Sequence, residues 1–173
     1  MPRRRVLIAG AGIAGLTAAL ALARHGFEVA VFERAPILSE VGAGIQLSPN
    51  CGRILADLGL DDALAVAAIE PCAIDVRSGL SGRRIVSIPL GRHAEKRHGG
   101  PYRVLHRADL QGVLRAAVHD TRGIALRLGE AVRSVETTWD GVAVTIGPDV
   151  EEGDVLISAD GLRSTRFAPV DRA

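Results

Sequence analysis

The chain has 173 residues, long enough to bury about 70% of its unfolded surface and build one real domain, with little room for a second. Lysine and arginine total 21 against 20 aspartates and glutamates, and a net charge of +1 excludes a broad electrostatic case for nucleic acid or an anionic membrane. Cys51 and Cys72 form no C-x-x-C pair or metal-ligand pattern, so they are expected as small buried apolar side chains in a reducing compartment.

The first predicted element is a buried parallel strand over Val6 to Ala9. Gly10, Gly12 and Gly15 follow at G-x-G-x-x-G spacing where a helix must begin. Gly10 permits a tight turn, Gly12 lets a pyrophosphate approach the backbone, and Gly15 lets the helix pack on the sheet. The N–H groups that open the helix, at Ile13 and Ala14, are placed to receive phosphate oxygens, which the helix dipole favours. Ala19, Leu22 and Ala23 continue that helix, Gly26 closes it, and Val29 and Val31 point to one face of a second strand. Glu33 ends that strand, where its carboxylate accepts from adenosine ribose hydroxyls and repels a 2′-phosphate; the alternative is a solvated strand-end acid. The basic start, Met1 to Arg5, followed by an uncharged stretch to Arg24, also matches a signal peptide or anchor. Three glycines within six residues weaken a spanning helix, whereas a dinucleotide site explains each of them, so the expected location is cytoplasmic, away from membranes.

Ala35 to Leu47 is expected as a glycine-containing loop, and Ser48-Pro49 as an N-cap and first helical residue, with the helix running to Leu58 and stopping at Gly59. Asp61 to Ile69 suits another helical turn or two. Ala73 to Arg77 and Arg83 to Ile88 alternate around Ser78-Gly82 and predict a β-hairpin. Gly91 to Gly100 is polar and aperiodic, an exposed connection in which His93 and His98 are solvated and no metal site is expected. Tyr102 to Leu105 predicts a strand leading into a helix near Ala108, with Leu110, Val113, Leu114, Ala117 and Val118 on one apolar face and Gly123 as its end. Ile124 to Leu128, Ala131 to Thr138 and Val142 to Ile146 are strand-like, the last two joined by an Asp-Gly turn at Asp140-Gly141. A final apolar strand over Asp154 to Ala159 runs into Asp160-Gly161.

Four blocks in this order resemble class A flavoprotein aromatic monooxygenases, the salicylate and hydroxybenzoate hydroxylase group. They are Gly10 to Gly15 with Glu33-Arg34, Val41 to Asn50, His106 to Leu110, and Ala159 to Ser164. The resemblance implies an α/β fold: a glutathione-reductase-type, Rossmann-like FAD-binding domain with a parallel sheet plus antiparallel β-hairpins, truncated. All of 1–173 would be one incomplete FAD-binding domain, with 71–106 partly belonging to a substrate-side β region. FAD is the implied cofactor, NADH or NADPH the co-substrate, and hydroxylation of a small aromatic acid the reaction. By similarity, Glu33 and Arg34 hold the adenosine end of FAD, the loop around Gln46 lies beside the flavin, and the backbone near Val132 meets the adenine. Arg107 resembles a cofactor-binding arginine before a helix; its plainer reading is a surface arginine. Asp160 resembles the aspartate of the family's D-G motif, and its plainer reading is a strand-ending turn.

The chain departs from the pattern after Ser164, where Phe167 stands in place of the family's arginine and Arg166 falls one place early. It also stops before the family's second G-D motif. The resemblance therefore implies the first half of a flavoenzyme, with a C-terminal half or self-association completing it. The cofactor carries the reaction, so no catalytic residue is assigned. Two other readings stay open: a non-catalytic remnant or half of a split flavoprotein, and a nicotinamide-dependent dehydrogenase that shares the first block alone.

Overall fold

A computed structural model describes residues 4–38, 43–161 and 164. Val41, Gly42, Leu162, Arg163, Arg166 and Phe167 lie outside the described residues. In chain order the elements are β1 (Arg5–Ala9), α1 (Ile13–Arg24), β2 (Glu28–Glu33), β3 (Gly44–Leu47), α2 (Pro49–Asp57), α3 (Asp61–Ala67), β4 (Ala73–Arg77) and β5 (Arg84–Pro89). They continue with α4 (Arg92–His98), β6 (Arg103–His106), α5 (Arg107–Asp120), β7 (Ile124–Leu128), β8 (Val132–Thr137), β9 (Val142–Ile146), β10 (Asp149–Gly153) and β11 (Val155–Ser158). They fall into two compact units, one drawn from Met1–Ser39 and Leu114–Ala173, the other from Glu40–Val113.

The first unit is built on a parallel sheet ordered β11-β1-β2-β7. Parallel neighbours need a crossover, and α1 supplies it between β1 and β2. The central strands β1 and β2 read as unbroken apolar runs because both of their faces are covered. On one face Leu7, Ala9, Ala30 and Phe32 pack with Val132, Val142, Val144 and Ile146 of an antiparallel sheet ordered β10-β9-β8. By alternation, Val6, Ile8, Val29 and Val31 turn to the opposite face. Burial of a side chain such as Leu7, Ile8 or Phe32, all at 1% exposure or less, contributes about 1.5–3 kcal/mol.

The strand β10 was not expected, and its sequence explains why. Asp149 to Gly153 has no apolar alternation, and its central carboxylate, Glu151, serves ion pairs instead of a core. Glu151 is held by Arg5 at 2.6 Å and also by Arg127, whose guanidinium lies 5.3 Å from the centre of the Phe32 ring. Arg127 in turn pairs with Glu130 at 2.7 Å. The hydrogen bond from Arg5, joined by that from Arg127, holds the Glu151 carboxyl below the usual carboxylate range.

In the second unit, β3 and β6 pair antiparallel, with Ile45 opposite Leu105 and Gln46 opposite Val104. Part of the expected loop at 35–47 is thus a strand: GIQL is too short to show a period, and its partner is distant in sequence. β4 and β5 form the expected hairpin, with Ile74 opposite Ile88 and Val76 opposite Val86 and a bulge at Val76/Arg77. The expected connection at 91–100 contains α4. Its polar residues give no apolar stripe, only Ala94 is buried among them, and left-handed Gly99 ends it. Arg103 is buried on β6, paired with Asp61 at 2.5 Å and Glu70 at 3.0 Å. Ser48 has N-cap backbone geometry, but its hydroxyl meets Asn50 Oδ1 at 2.5 Å rather than a cap N–H. Cys51 is half-buried and Cys72 exposed, which corrects the expectation that both are buried. No helix among the described residues is long and apolar enough to cross a membrane.

Candidate functional site

The turn between β1 and α1 is shaped by its glycines. Gly10 has φ +105°, and a Cβ there would stand 2.4 Å from the Ala159 carbonyl oxygen. At Gly15 a Cβ would stand 1.9 Å from the Gly10 carbonyl oxygen, so this residue sets how closely α1 approaches the turn. Gly12 differs from both, for nothing lies within 4 Å of the place its Cβ would take. It caps α1, and the helix has no side-chain cap and no acid in its first turn. An uncapped, positively polarised helix end beside an open Cβ position suits an anion held on backbone N–H groups, here those around Ile13 and Ala14. The residues present therefore fit the pyrophosphate of a dinucleotide.

Glu33 ends β2 beside that turn. Its carboxylate accepts from the Ala11 N–H and the Ala35 N–H, both at 2.9 Å. The acid read from sequence as a ribose ligand thus also fastens the phosphate turn to the end of β2. A carboxylate has about four acceptor positions, so the two bonds leave capacity for ribose hydroxyls. Arg34 is exposed next to it. The segment that links β7 to β8 is drawn alongside, since Glu130 N–H donates to the Glu33 carbonyl at 2.8 Å and Gly129 N–H to that of Ala35 at 3.0 Å. Val132 follows, with its side chain in the core at 3% exposure, which leaves its backbone as the part suited to an adenine.

Asp160 comes to the same place from the other end of the chain. Ala159 N–H donates to the Ala9 carbonyl at 2.7 Å, and the Cβ position of Gly10 lies 2.9 Å from Asp160 Cα. Ser158 Oγ donates to Asp160 Oδ1 at 2.6 Å, an orienting contact that sequence reasoning missed. The ends of β1, β2 and β11 gather Gly10 to Gly15, Glu33 and Asp160 at the carboxyl edge of the parallel sheet, where open α/β sheets bind ligands. The ion pairs of Arg5, Arg127, Glu130 and Glu151 were also missed. Arg5 and Glu151 are 146 residues apart, a separation that no local pattern reports.

Gln46 and Arg107 belong to the other unit. Gln46 is exposed on β3, and Arg107 opens α5 directly after β6, its N–H donating to the Ala43 carbonyl at 3.3 Å. His93 and His98 are exposed on α4, and among the described residues no cluster of His, Cys, Asp and Glu could hold a metal ion.

The profile of one protein family, described as an FAD binding domain, matches residues 3–170. The chain is 44% identical over 162 residues to 3-amino-4-hydroxybenzoate 2-monooxygenase of Streptomyces cremeus, covering 92% of this chain and 40% of that protein. It is 41% identical over 160 residues to 3-hydroxybenzoate 6-hydroxylase 1 of Aquipseudomonas alcaligenes, covering 92% of this chain and 41% of that one. Among solved structures, the tetrameric form of 2-methyl-3-hydroxypyridine-5-carboxylic acid oxygenase superposes with a TM-score of 0.82 at 27% identity, over 96% of this chain and 42% of that chain. The chain thus spans about two fifths of the length of the proteins it matches.

Proposed function

The chain belongs to the FAD binding domain family, and from that membership we propose that it is the cofactor-binding, N-terminal portion of an FAD-dependent monooxygenase. The whole protein uses NADH or NADPH and O₂ to hydroxylate a small aromatic acid. The observation that carries this reading is the gathering of the open Gly12 turn, Glu33 and Asp160 at one edge of the parallel sheet.

In this reading the N–H groups of Gly12, Ile13 and Ala14 take the pyrophosphate, and Glu33 takes the ribose while holding the turn in shape. Arg34 flanks the adenosine, and the backbone near Val132 receives the adenine. Asp160, oriented by Ser158, borders the pyrophosphate region. Gln46 offers an amide beside the flavin ring, and Arg107 offers a guanidinium with several donors to the cofactor. Bound FAD supplies the electron transfer and oxygen activation. These residues bind and orient it, and none is assigned to the reacting atoms. Free Cys51 and Cys72 suit a reducing, cytoplasmic setting.

The test supplies FAD, NADH or NADPH and a panel of hydroxybenzoates to two proteins: the 173-residue chain, and this chain joined to the remaining portion of the Streptomyces cremeus relative. The joined protein is expected to form hydroxylated product. The chain by itself, which lacks the rest of the pocket and its water exclusion, is expected to bind FAD weakly and to form none, any NAD(P)H oxidation ending in peroxide. Flavin retention without product or substrate-stimulated NAD(P)H oxidation in the joined protein would favour a non-catalytic FAD-binding role. NAD(P)H turnover without flavin would overturn the reading in favour of a dehydrogenase.

A further inference from the structure

β7 consists of apolar residues and one arginine, and in register that arginine, Arg127, stands opposite Phe32. Neighbours in register share a face of the sheet, so Arg127 emerges on the side where Phe32 packs, with its guanidinium 5.3 Å from the ring centre. Two carboxylates hold it there. One is Glu151 of β10, itself bound by Arg5 of β1 at 2.6 Å, and the other is Glu130 at 2.7 Å. The planar fork of a guanidinium can serve both acids at once, which the point charge of a lysine does less well.

The pair with Glu130 differs from the rest in what it reaches. Glu130 lies in the short link between β7 and β8, directly after Gly129 in the left-handed region at φ +76°. Its N–H donates to the Glu33 carbonyl at 2.8 Å, and the Gly129 N–H donates to that of Ala35 at 3.0 Å. The link is therefore gripped through its backbone by the end of β2 and through its side chain by Arg127, which the core and β10 hold in turn. An ion pair whose side chains are 31% and 32% exposed adds little to global stability. It does restrict a segment that starts from a conformationally free glycine.

We propose that Arg127 is a positioning residue for the adenosine end of the cofactor, acting through Glu130 to hold the 129–131 backbone where an adenine meets it. The inference rests on the FAD-binding reading, which gives the backbone near Val132 to the adenine. Neither Arg127 nor Glu130 is asked to touch the ligand through its side chain.

The experiment titrates the 173-residue chain and its variants with 5′-ADP and with inorganic pyrophosphate, and follows hydrogen exchange of the amides at positions 129 and 130 without any ligand. Arg127→Met keeps an unbranched apolar stem over Phe32 and removes the donors, whereas Glu130→Ala removes the acceptor and keeps the N–H. The two variants change the net charge in opposite senses, so a long-range field would weaken ADP binding in the first and tighten it in the second. Positioning predicts a loss of about three- to fivefold in both, the size of one partly exposed ion pair. The double variant should bind ADP no more weakly than either single one, because both remove the same link. Pyrophosphate affinity should be unchanged, and both amides should exchange faster. ADP binding that tightens or stays unchanged in Glu130→Ala overturns the inference, and so does an equal loss for pyrophosphate, which marks a merely structural role. In those cases a wild type that prefers ADP to pyrophosphate leaves the FAD-binding reading standing. A wild type that binds ADP no more tightly than pyrophosphate removes the adenosine site itself, and with it both the inference and the placing of adenine at this link.

Discussion

The parallel sheet of the first unit and the β4–β5 hairpin of the second are both rich in valine and isoleucine, yet they hold those side chains in opposite conditions. Leu7, Ile8, Val31 and Phe32 are at 1% exposure or less, whereas every residue of the hairpin strands is exposed. The difference lies in what covers each face. The sheet has α1 on one side and β8 and β9 on the other, while Ile74, Val76, Val86 and Ile88 form an apolar row with no buried packing of its own. Apolar content therefore predicts a strand in both places, but it predicts a stability contribution only in the first.

The largest expected effect follows from that contrast. Phe32→Ala should destabilise the first unit by about 3–5 kcal/mol, since it empties a core position and removes the ring beneath Arg127. Val76→Ala should change stability by no more than about 0.5 kcal/mol. Denaturant unfolding of both variants measures the gap, and similar losses would mean that the hairpin is as tightly packed as the sheet.

A smaller effect is expected at the sheet's carboxyl edge. A charged hydrogen bond to ribose is worth about 1.5–3 kcal/mol, so Glu33→Ala should weaken FAD binding by about 10- to 150-fold. Because Glu33 also holds the Ala11 and Ala35 N–H groups, the same variant should speed hydrogen exchange in the turn without any cofactor present. Unchanged affinity together with faster exchange would assign Glu33 to the turn alone.

The smallest effect concerns Glu151. Its carboxyl is held below its ordinary value of 4.5, so the stability it contributes is fully present above that pH and is lost as pH falls through the lowered folded-state value. Glu151→Gln should cost about 1 kcal/mol at neutral pH. It should also flatten the decline in stability below pH 4.5. An identical acid limb in variant and wild type would mean that the ion pairs with Arg5 and Arg127 contribute nothing.

Legibility followed the same division. The β1-α1-β2 unit was readable because its signals are local: an apolar strand, glycines at fixed offsets and an acid at the next strand's end all fall within residues 5–33. Gly10 and Gly15 have the close approaches that their spacing implies. What escaped was made by distant partners or by polar residues. β3 exists through its pairing with β6, α4 has no apolar stripe, β10 places carboxylates where a core strand would place valines, and Ser158 acts through a contact two residues away in an exposed turn. The Glu33 carboxylate was read by position, but its grip on Ala11 needed the folded turn to be seen.

The central claim is that the β1–α1 turn is a pyrophosphate site, and FAD titration of wild type beside Gly12→Val tests it most directly. Space is open where the Gly12 Cβ would stand, so valine fits the empty protein and intrudes only where a phosphate would lie. The account predicts a thermal midpoint close to wild type, with FAD affinity weakened by about 100-fold or more, the equivalent of losing one or two charged hydrogen bonds. Equal FAD affinity in the two proteins, both folded, would contradict it.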